Sequence, residues 1–225
     1  MATTLGTLKT AARQKANMEN STFISDSELT DYINQSYAEL YDIMVSRFED
    51  YYSKTEGFSI LSGSTSHTLP ADMYKMRALD YTLDSKNFVT VRKFNFEDRN
   101  KISRNVSRTL RGFSDRAYRI MGQQMFIYPQ DAAPGTYVMW YIPRYTPLAL
   151  DADVLGDVMD FQEYITADAA IKMLAKEESD VSVLMAQKQA LLARIEAMAS
   201  NRDTTPERIS DVSNYWTGDF LFPRS

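Results

Sequence analysis

Few residues in this sequence have the chemistry that catalysis or metal binding requires. The chain contains one histidine, His67, and no cysteine. A single histidine cannot supply the paired imidazole ligands of a zinc site, and no serine stands in a nucleophile elbow that would complete a Ser-His-Asp triad. The lack of cysteine excludes disulfides, thiolate ligands and cysteine nucleophiles. We therefore predict a protein that is not an enzyme, with no metal and no cofactor. His67 is interpreted as a strand residue, and the alternative is a hydrolase that uses His67 or a pair of carboxylates.

One acidic stretch has part of the spacing of a calcium-binding loop. Asp151, Asp153 and Gly156 match loop positions one, three and six of an EF-hand. Position five is Leu155 and position twelve is Gln162, so two oxygen ligands fail, including the bidentate carboxylate. The stretch is therefore interpreted as an acidic turn that leads into a helix.

Charge is segregated along the chain more strongly than the net charge of −5 indicates. Between residues 92 and 119 nine basic residues stand against three acidic ones, whereas between residues 151 and 180 nine acidic residues stand against two lysines. A head-to-tail ring needs two different and complementary faces on each subunit. These stretches predict a basic inter-subunit or DNA-channel face and a complementary acidic face. The basic candidates are Arg99, Lys101, Arg104, Arg108, Arg111 and Arg116, and the acidic candidates are Asp151, Asp153, Asp157, Asp160, Glu163, Glu177 and Glu178.

Two other interpretations of these charges remain open. Both stretches can be solvated surfaces with no partner. Alternatively, the protein is a DNA-binding accessory protein that uses the basic segment 92–119, because attraction to phosphate requires no particular fold.

The C-terminal stretch NYWTGDFLFPRS concentrates apolar side chains without helical or strand periodicity. A polar run with Pro206, typical of an extended linker, precedes it. Aromatic residues and arginine dominate the energetics of protein interfaces. We predict that this segment leaves its own subunit and docks on a partner, the alternative being a strap folded back on its own helices. The predicted docking residues are Tyr215, Trp216, Phe220, Leu221, Phe222 and Arg224.

Hydrophobic periodicity predicts the elements that position these residues. Ser25 and Glu28 have the spacing of a capping box, and an apolar stripe follows at helical spacing to about Ser53. A shorter helix precedes it, two more helices follow Gly156, and several short Tyr-, Phe- and Val-rich strands lie between the two pairs.

The predicted fold class is α+β: a four-helix bundle with an inserted antiparallel β module between helices 2 and 3, and an extended C-terminal arm. The expected segments are a helical pair at 1–56, the β module with its basic loop at 57–150, a helical hairpin at 151–203 and the docking arm at 204–225. The sequence contains no run of 18 or more apolar residues, so no membrane span is predicted. The N-terminus lacks the apolar core of a secretory signal.

Several phrases occur in an order that resembles the head-to-tail adaptor (connector) proteins of tailed bacteriophages. They are FISDSELTDYINQSYAELYDIM, LPADMYKMRALDY, YRIMGQQMFIYPQDAAPGTYVMWYIP and DAAIKMLAKEESD. The resemblance implies a structural virion protein that forms a dodecameric ring under the portal protein, extends the DNA channel and offers a docking surface to the tail.

The same resemblance implies the partners and the location of the protein. The partners are the portal protein, copies of the chain itself, a tail nozzle, tail tube or tail-fibre component, and genomic double-stranded DNA that passes without specific binding. The protein is made in the host cytoplasm and located at the head–tail junction of the virion. In the family the C-terminal segment commonly docks on the portal, so the arm of this chain is expected to insert into a neighbouring subunit or the portal.

Overall fold

Along the sequence, two helices precede and two helices follow a middle region made of strands. The computed structural model describes residues 3–48, 51–82, 86–98, 116–130, 133–156, 158 and 160–201, with side chains to 198. The helices are α1 (Leu5–Lys15), α2 (Asp26–Arg47), α3 (Gln162–Lys176) and α4 (Ser182–Asn201). The strands are β1 (Lys54–Ile60), β2 (Ser66–Thr68), β3 (Met73–Thr82), β4 (Phe88–Thr90), β5 (Arg92–Lys93), β6 (Ala117–Met121), β7 (Gln124–Tyr128) and β8 (Gly135–Pro143), with a 3-10 turn at Phe96–Asp98.

Helix α2 begins as predicted and ends earlier than predicted. The Ser25 hydroxyl accepts the backbone N–H of Glu28, which satisfies one of the donors that a helix start leaves free. The Glu28 carboxylate does not return to the cap, and instead binds Lys176 of α3 and the hydroxyl of Tyr32. The helix ends at Arg47 because Phe48 leaves the helical conformation.

Helix α3 lies at the centre of the helical part. It packs against α1, α2 and α4, and seven successive residues from Tyr164 to Ala170 are buried. A helix that is covered on all sides has no outward polar stripe, which explains the alanine-rich sequence of this segment. The described core of this part runs from Leu5 in α1 to Ile195 in α4.

The strands form two four-stranded sheets. One has the order β1-β8-β3-β4 and the other the order β2-β7-β6-β5. Their pairings are antiparallel except for β5 with β6, which are parallel. Strands β6 and β7 form a hairpin around Gly122. The side chains of Leu79, Met125, Ile127 and Met139 are fully hidden in the core that the two sheets share.

The predicted four-helix bundle with a single inserted β module is wrong. The chain is α+β, but two sheets replace the one antiparallel module, and three helices surround a central α3. Hydrophobic period reveals which face of a segment is buried and not which element covers it. Strand β8 pairs with β1 and β3, far upstream in the sequence, and such non-local pairing leaves no signal in local patterns. Among the described residues, no helix is long and apolar enough to cross a membrane.

Candidate functional site

A tyrosine-rich groove lies where α2 meets the first sheet. Its wall is a chain of ring contacts: Tyr37 and Tyr145 have ring centroids 5.1 Å apart, Tyr41 and Tyr52 4.7 Å, and Tyr51 and Tyr52 4.9 Å. We call this space, about 760 Å³ in volume, the tyrosine groove. The volume is in the range of pockets that bind ligands or peptide side chains. The Tyr37–Tyr145 and Tyr51–Tyr52 pairs pack edge to face and the Tyr41–Tyr52 pair is tilted. These contacts hold the rings in place, so the wall is formed without a partner.

Hydrogen bonds fix the two sides of the groove to each other. The Tyr41 hydroxyl donates to the carbonyl of Pro143 at 2.6 Å, and burial raises the pKa of Tyr41 to about 12. Asn34 donates to the Leu148 carbonyl and accepts the Leu148 N–H, both at 2.9 Å. The segment that follows β8 is therefore held against α2 by side chains of that helix.

The acidic loop at one rim of the groove is hydrogen-bonded to the start of α1. The backbone N–H groups of Leu5 and Gly6 donate to the carbonyls of Asp153 and Asp151, each at 3.0 Å. These N–H groups have no partner within their own helix, so the acidic loop satisfies them. The Asp153 carboxylate accepts the N–H groups of Leu150 and Ala149, and these bonds lower its pKa. The loop that partly resembles an EF-hand thus uses its oxygens within the protein.

A buried ionic cluster joins α2, α3 and α4 on the other side of α2. Asp168 lies 2.8 Å from both Lys172 and Lys188, and it accepts the Ser36 hydroxyl at 2.7 Å. Burial opposes ionisation of Asp168, but the bonds from Lys172, Lys188 and Ser36 outweigh it and lower its pKa. Burial also disfavours the charged form of Lys188, and its bonds to Asp168 and Glu39 more than compensate and raise its pKa. Each charge is paired, so the cluster fastens helices together and offers no vacant ligand.

The predicted acidic face is spread along the helical part. Asp151 and Glu163 pair with Lys9 and Lys15 of α1 at 2.7 Å and 3.2 Å. Glu177 lies just past the other end of α3, about 20 Å along the helix from Glu163. The structure therefore places these acids at both ends of α3 and neutralises two of them within the subunit. Of the other candidates, Asp153 lies in the loop, Asp160 and Glu178 have positive φ beside the ends of α3, and Asp157 lies outside the described residues.

Arg116 is the one candidate of the predicted basic face that the described chain includes. Its guanidinium lies 3.5 Å from the centre of the Tyr81 ring. A side chain at Gly135 would collide with that same ring, so glycine there leaves room for the stack. Arg116 thus packs against the β part. The other basic candidates, Arg99, Lys101, Arg104, Arg108 and Arg111, lie outside the described residues, as do all the predicted docking residues of the arm.

His67 occupies a strand, as predicted. It lies on β2 with its ring stacked on Phe58, centroids 3.8 Å apart. Its Nε2 atom is buried and has no hydrogen-bond partner within the described part of the chain, and burial lowers its pKa. No group of three metal-binding side chains occurs among the described residues.

The tyrosine groove is the feature that the sequence prediction missed. The apolar helical stripe predicted to extend to about Ser53 includes Tyr37 and Tyr51, and the sequence predicts no role for Tyr145. The available signal was the number of tyrosines near the end of α2, together with the proline-flanked phrase PRYTP. Tyrosine has an apolar body and a polar tip, so such a concentration is typical of surfaces that contact partners.

Comparison with known proteins supports the resemblance. No curated protein matches the chain. The sequence model of a family described as SU10 adaptor protein matches residues 3–212, which include both sheets, all four described helices and the tyrosine groove. The chain therefore belongs to the SU10 adaptor protein family.

Proposed function

We propose that this protein is a ring-forming subunit of a phage particle that joins the portal to the tail and extends the DNA channel. The observation that carries the proposal is the match to the adaptor family over residues 3–212. The role is assembly, so the residues that matter are those that contact neighbouring proteins. The protein acts at the head–tail junction, between the portal and a tail nozzle, tail tube or tail-fibre component.

The helical part supports ring formation because it exposes apolar side chains. Val183, Met185 and Met198 of α4 are exposed to 77%, 49% and 46%. The described chain covers only one side of α4, through Leu191 and Ile195. Repeated contacts in a closed ring can each be small because every subunit uses the same pair of faces.

The buried contact between the helical part and the sheets supports a subunit that connects different partners at its two parts. Tyr41 and Val45 of α2 pack on Ile142 of β8 as a separate buried cluster. With the Tyr41–Pro143 bond, this cluster couples α2 to β8, an inner strand of the first sheet. In the proposed assembly, one part faces ring neighbours while the other offers strands and loops to the next component.

Electron microscopy of the purified chain mixed with its portal tests the proposal. The expected result is a coaxial ring of this protein on the portal. Val183→Glu should reduce ring formation, whereas Leu61→Glu is the matched control, because Leu61 is also exposed to 77% but lies in the turn after β1. Absence of any coaxial density with the unaltered chain would contradict the proposed function.

A further inference from the structure

We propose that the tyrosine groove of one subunit binds residues 214–225 of a neighbouring copy of this chain. The inference deepens the proposed function and rests on it, because it names the site where the C-terminal arm docks. The occupant is an aromatic peptide with an acidic residue at its centre. Its receptor is a groove of aromatic rings with Arg144 and Lys54 on the rim near Pro143, and with the acidic loop, whose Asp153 carboxylate is already hydrogen-bonded, on the opposite rim.

The chemistry of the groove fits an aromatic peptide. Tyr51, Tyr52 and Tyr145 are half-buried, with one surface packed on the core and the other open to the groove. Pro143 and Pro147 line the same space. Aromatic-lined grooves are recurring receptors for extended peptides, and aromatic side chains are the commonest anchors of protein interfaces. Residues 214–225 offer such anchors in two groups, Tyr215 with Trp216 and the triplet at 220–222.

Charge complementarity gives the contact a register. Arg144 lies on the rim of the groove with an exposed side chain, and within the described chain no carboxylate pairs with its guanidinium. Lys54, also on the rim, is 3.5 Å from Asp72. The acidic residue between the two groups of anchors is Asp219. If Asp219 pairs with Arg144, one group of aromatic anchors lies in the groove on each side of that ion pair.

The place where the described chain ends brings the arm within reach. The Arg47 guanidinium near the end of α2 lies 2.6 Å from Glu196 near the end of α4. The chain therefore leaves α4 at the end of the molecule where Tyr51 and Tyr52 enter the groove wall. Residues 202–213 separate Asn201 from the aromatic segment, and twelve residues can extend to about 40 Å. That length spans the width of a small domain, so the groove of an adjacent subunit is accessible.

Disulfide trapping tests this contact cleanly because the chain has no cysteine of its own. Thr146→Cys places a thiol on an exposed residue of the groove, and Thr217→Cys places one in the arm without removing an anchor. The double variant is oxidised in assembled adaptor–portal complexes and analysed on non-reducing gels. We expect covalent dimers and larger multimers, and a control with Leu61→Cys in place of Thr146→Cys should remain at least ten-fold less cross-linked.

Charge reversal tests the register. Arg144→Glu or Asp219→Arg alone should lower the cross-linked fraction several-fold, and the two together should restore it. Cross-linking within single chains would overturn docking on a neighbouring copy. No preference over the Leu61 control, in complexes that still form rings on the portal, would overturn the groove as receptor while leaving the proposed function intact. Failure to form rings with the unaltered chain would instead contradict the proposed function.

Discussion

Lys188 of α4 places its ammonium group 2.8 Å from the carboxylate of Asp168 on α3, whose side chain is only 5% exposed. The same ammonium lies 2.8 Å from Glu39 of α2. One lysine therefore links three helices at the point where the central helix is most enclosed. A buried carboxylate without its partners is strongly unfavourable, so arrangements of these helices that separate Asp168 from Lys172 and Lys188 are disfavoured.

Removing the buried carboxylate should destabilise the protein. We expect Asp168→Ala to lower the free energy of unfolding by about 3 kcal/mol, because it leaves Lys172 and Lys188 without their shared partner. Lys188→Met should have a smaller effect, since Lys172 and Ser36 still bind Asp168. Urea unfolding measures both, with the exposed Asp31→Ala as a control expected within about 0.5 kcal/mol of the unaltered protein. Equal midpoints for the Asp168 and Asp31 variants would contradict a structural role of the cluster.

Asp168 should also contribute to loss of stability in acid. Its pKa in the folded protein is lowered below the ordinary 3.8, so the unfolded chain binds the proton more readily. The stabilisation is then fully present above about pH 4, and it is lost as the pH falls from there through the folded value. Urea midpoints at pH 5 and pH 3 should differ less in Asp168→Asn than in the unaltered protein. An identical acid dependence in both would remove Asp168 as a contributor.

His67 should add a second, milder pH dependence. Burial lowers its pKa from the ordinary 6.5, and its Nε2 atom lacks a partner in the described chain. The neutral form is therefore favoured in the folded state, so stability is present above about pH 6.5 and falls as the pH drops below it. His67→Phe keeps a ring to stack on Phe58 but cannot titrate. We expect the thermal midpoint of the unaltered protein to fall between pH 7.5 and pH 5.5, and that of the variant to change less.

The wall of the tyrosine groove depends on a glycine. A methyl group at Gly156 would collide with the hydroxyl of Tyr37, so Gly156→Ala must displace a ring that is only 4% exposed. We expect a loss of about 1–3 kcal/mol in unfolding free energy, measured by urea unfolding. Gly57→Ala is the matched control, because the nearest atom to its new methyl group is 4.0 Å away. If the Gly156 variant is as stable as the Gly57 variant, the Tyr37 ring can move aside at no cost and the prediction is wrong.

Local sequence signals were sufficient for the helices and insufficient for what the helices cover. The spacing of Leu29, Ile33, Tyr37 and Leu40 predicted α2, and all four are buried. The position of β8 in the middle of its sheet was not predictable, because its partners β1 and β3 are separated from it by more than fifty residues. The tyrosine groove was missed for the same reason: Tyr37 and Tyr145 are far apart in the sequence, and only the folded structure brings their rings into contact.

The charge pattern identified an acidic stretch of sequence but did not reveal which of its side chains share a surface. The acidic stretch after residue 150 was predicted as one face, yet Asp151 and Glu163 bind lysines of α1. Asp168, counted among the same acids, lies inside the protein with partners from two other helices. A run of like charges in sequence is divided among several surfaces when a central helix carries part of it.

Deleting residues 214–225 should separate folding from assembly. The last buried side chain of the described core is Ile195. We therefore expect the shortened protein to keep the unfolding free energy of the full chain within about 0.5 kcal/mol, measured by urea unfolding. It should nevertheless fail to join the particle, because the deleted segment carries the aromatic anchors Tyr215, Trp216, Phe220 and Phe222. Immunoblots of purified particles measure incorporation, and replacing the polar run 204–213 by a Gly/Ser sequence of equal length is the control expected to preserve it. Normal incorporation of the shortened chain would refute the role of the arm.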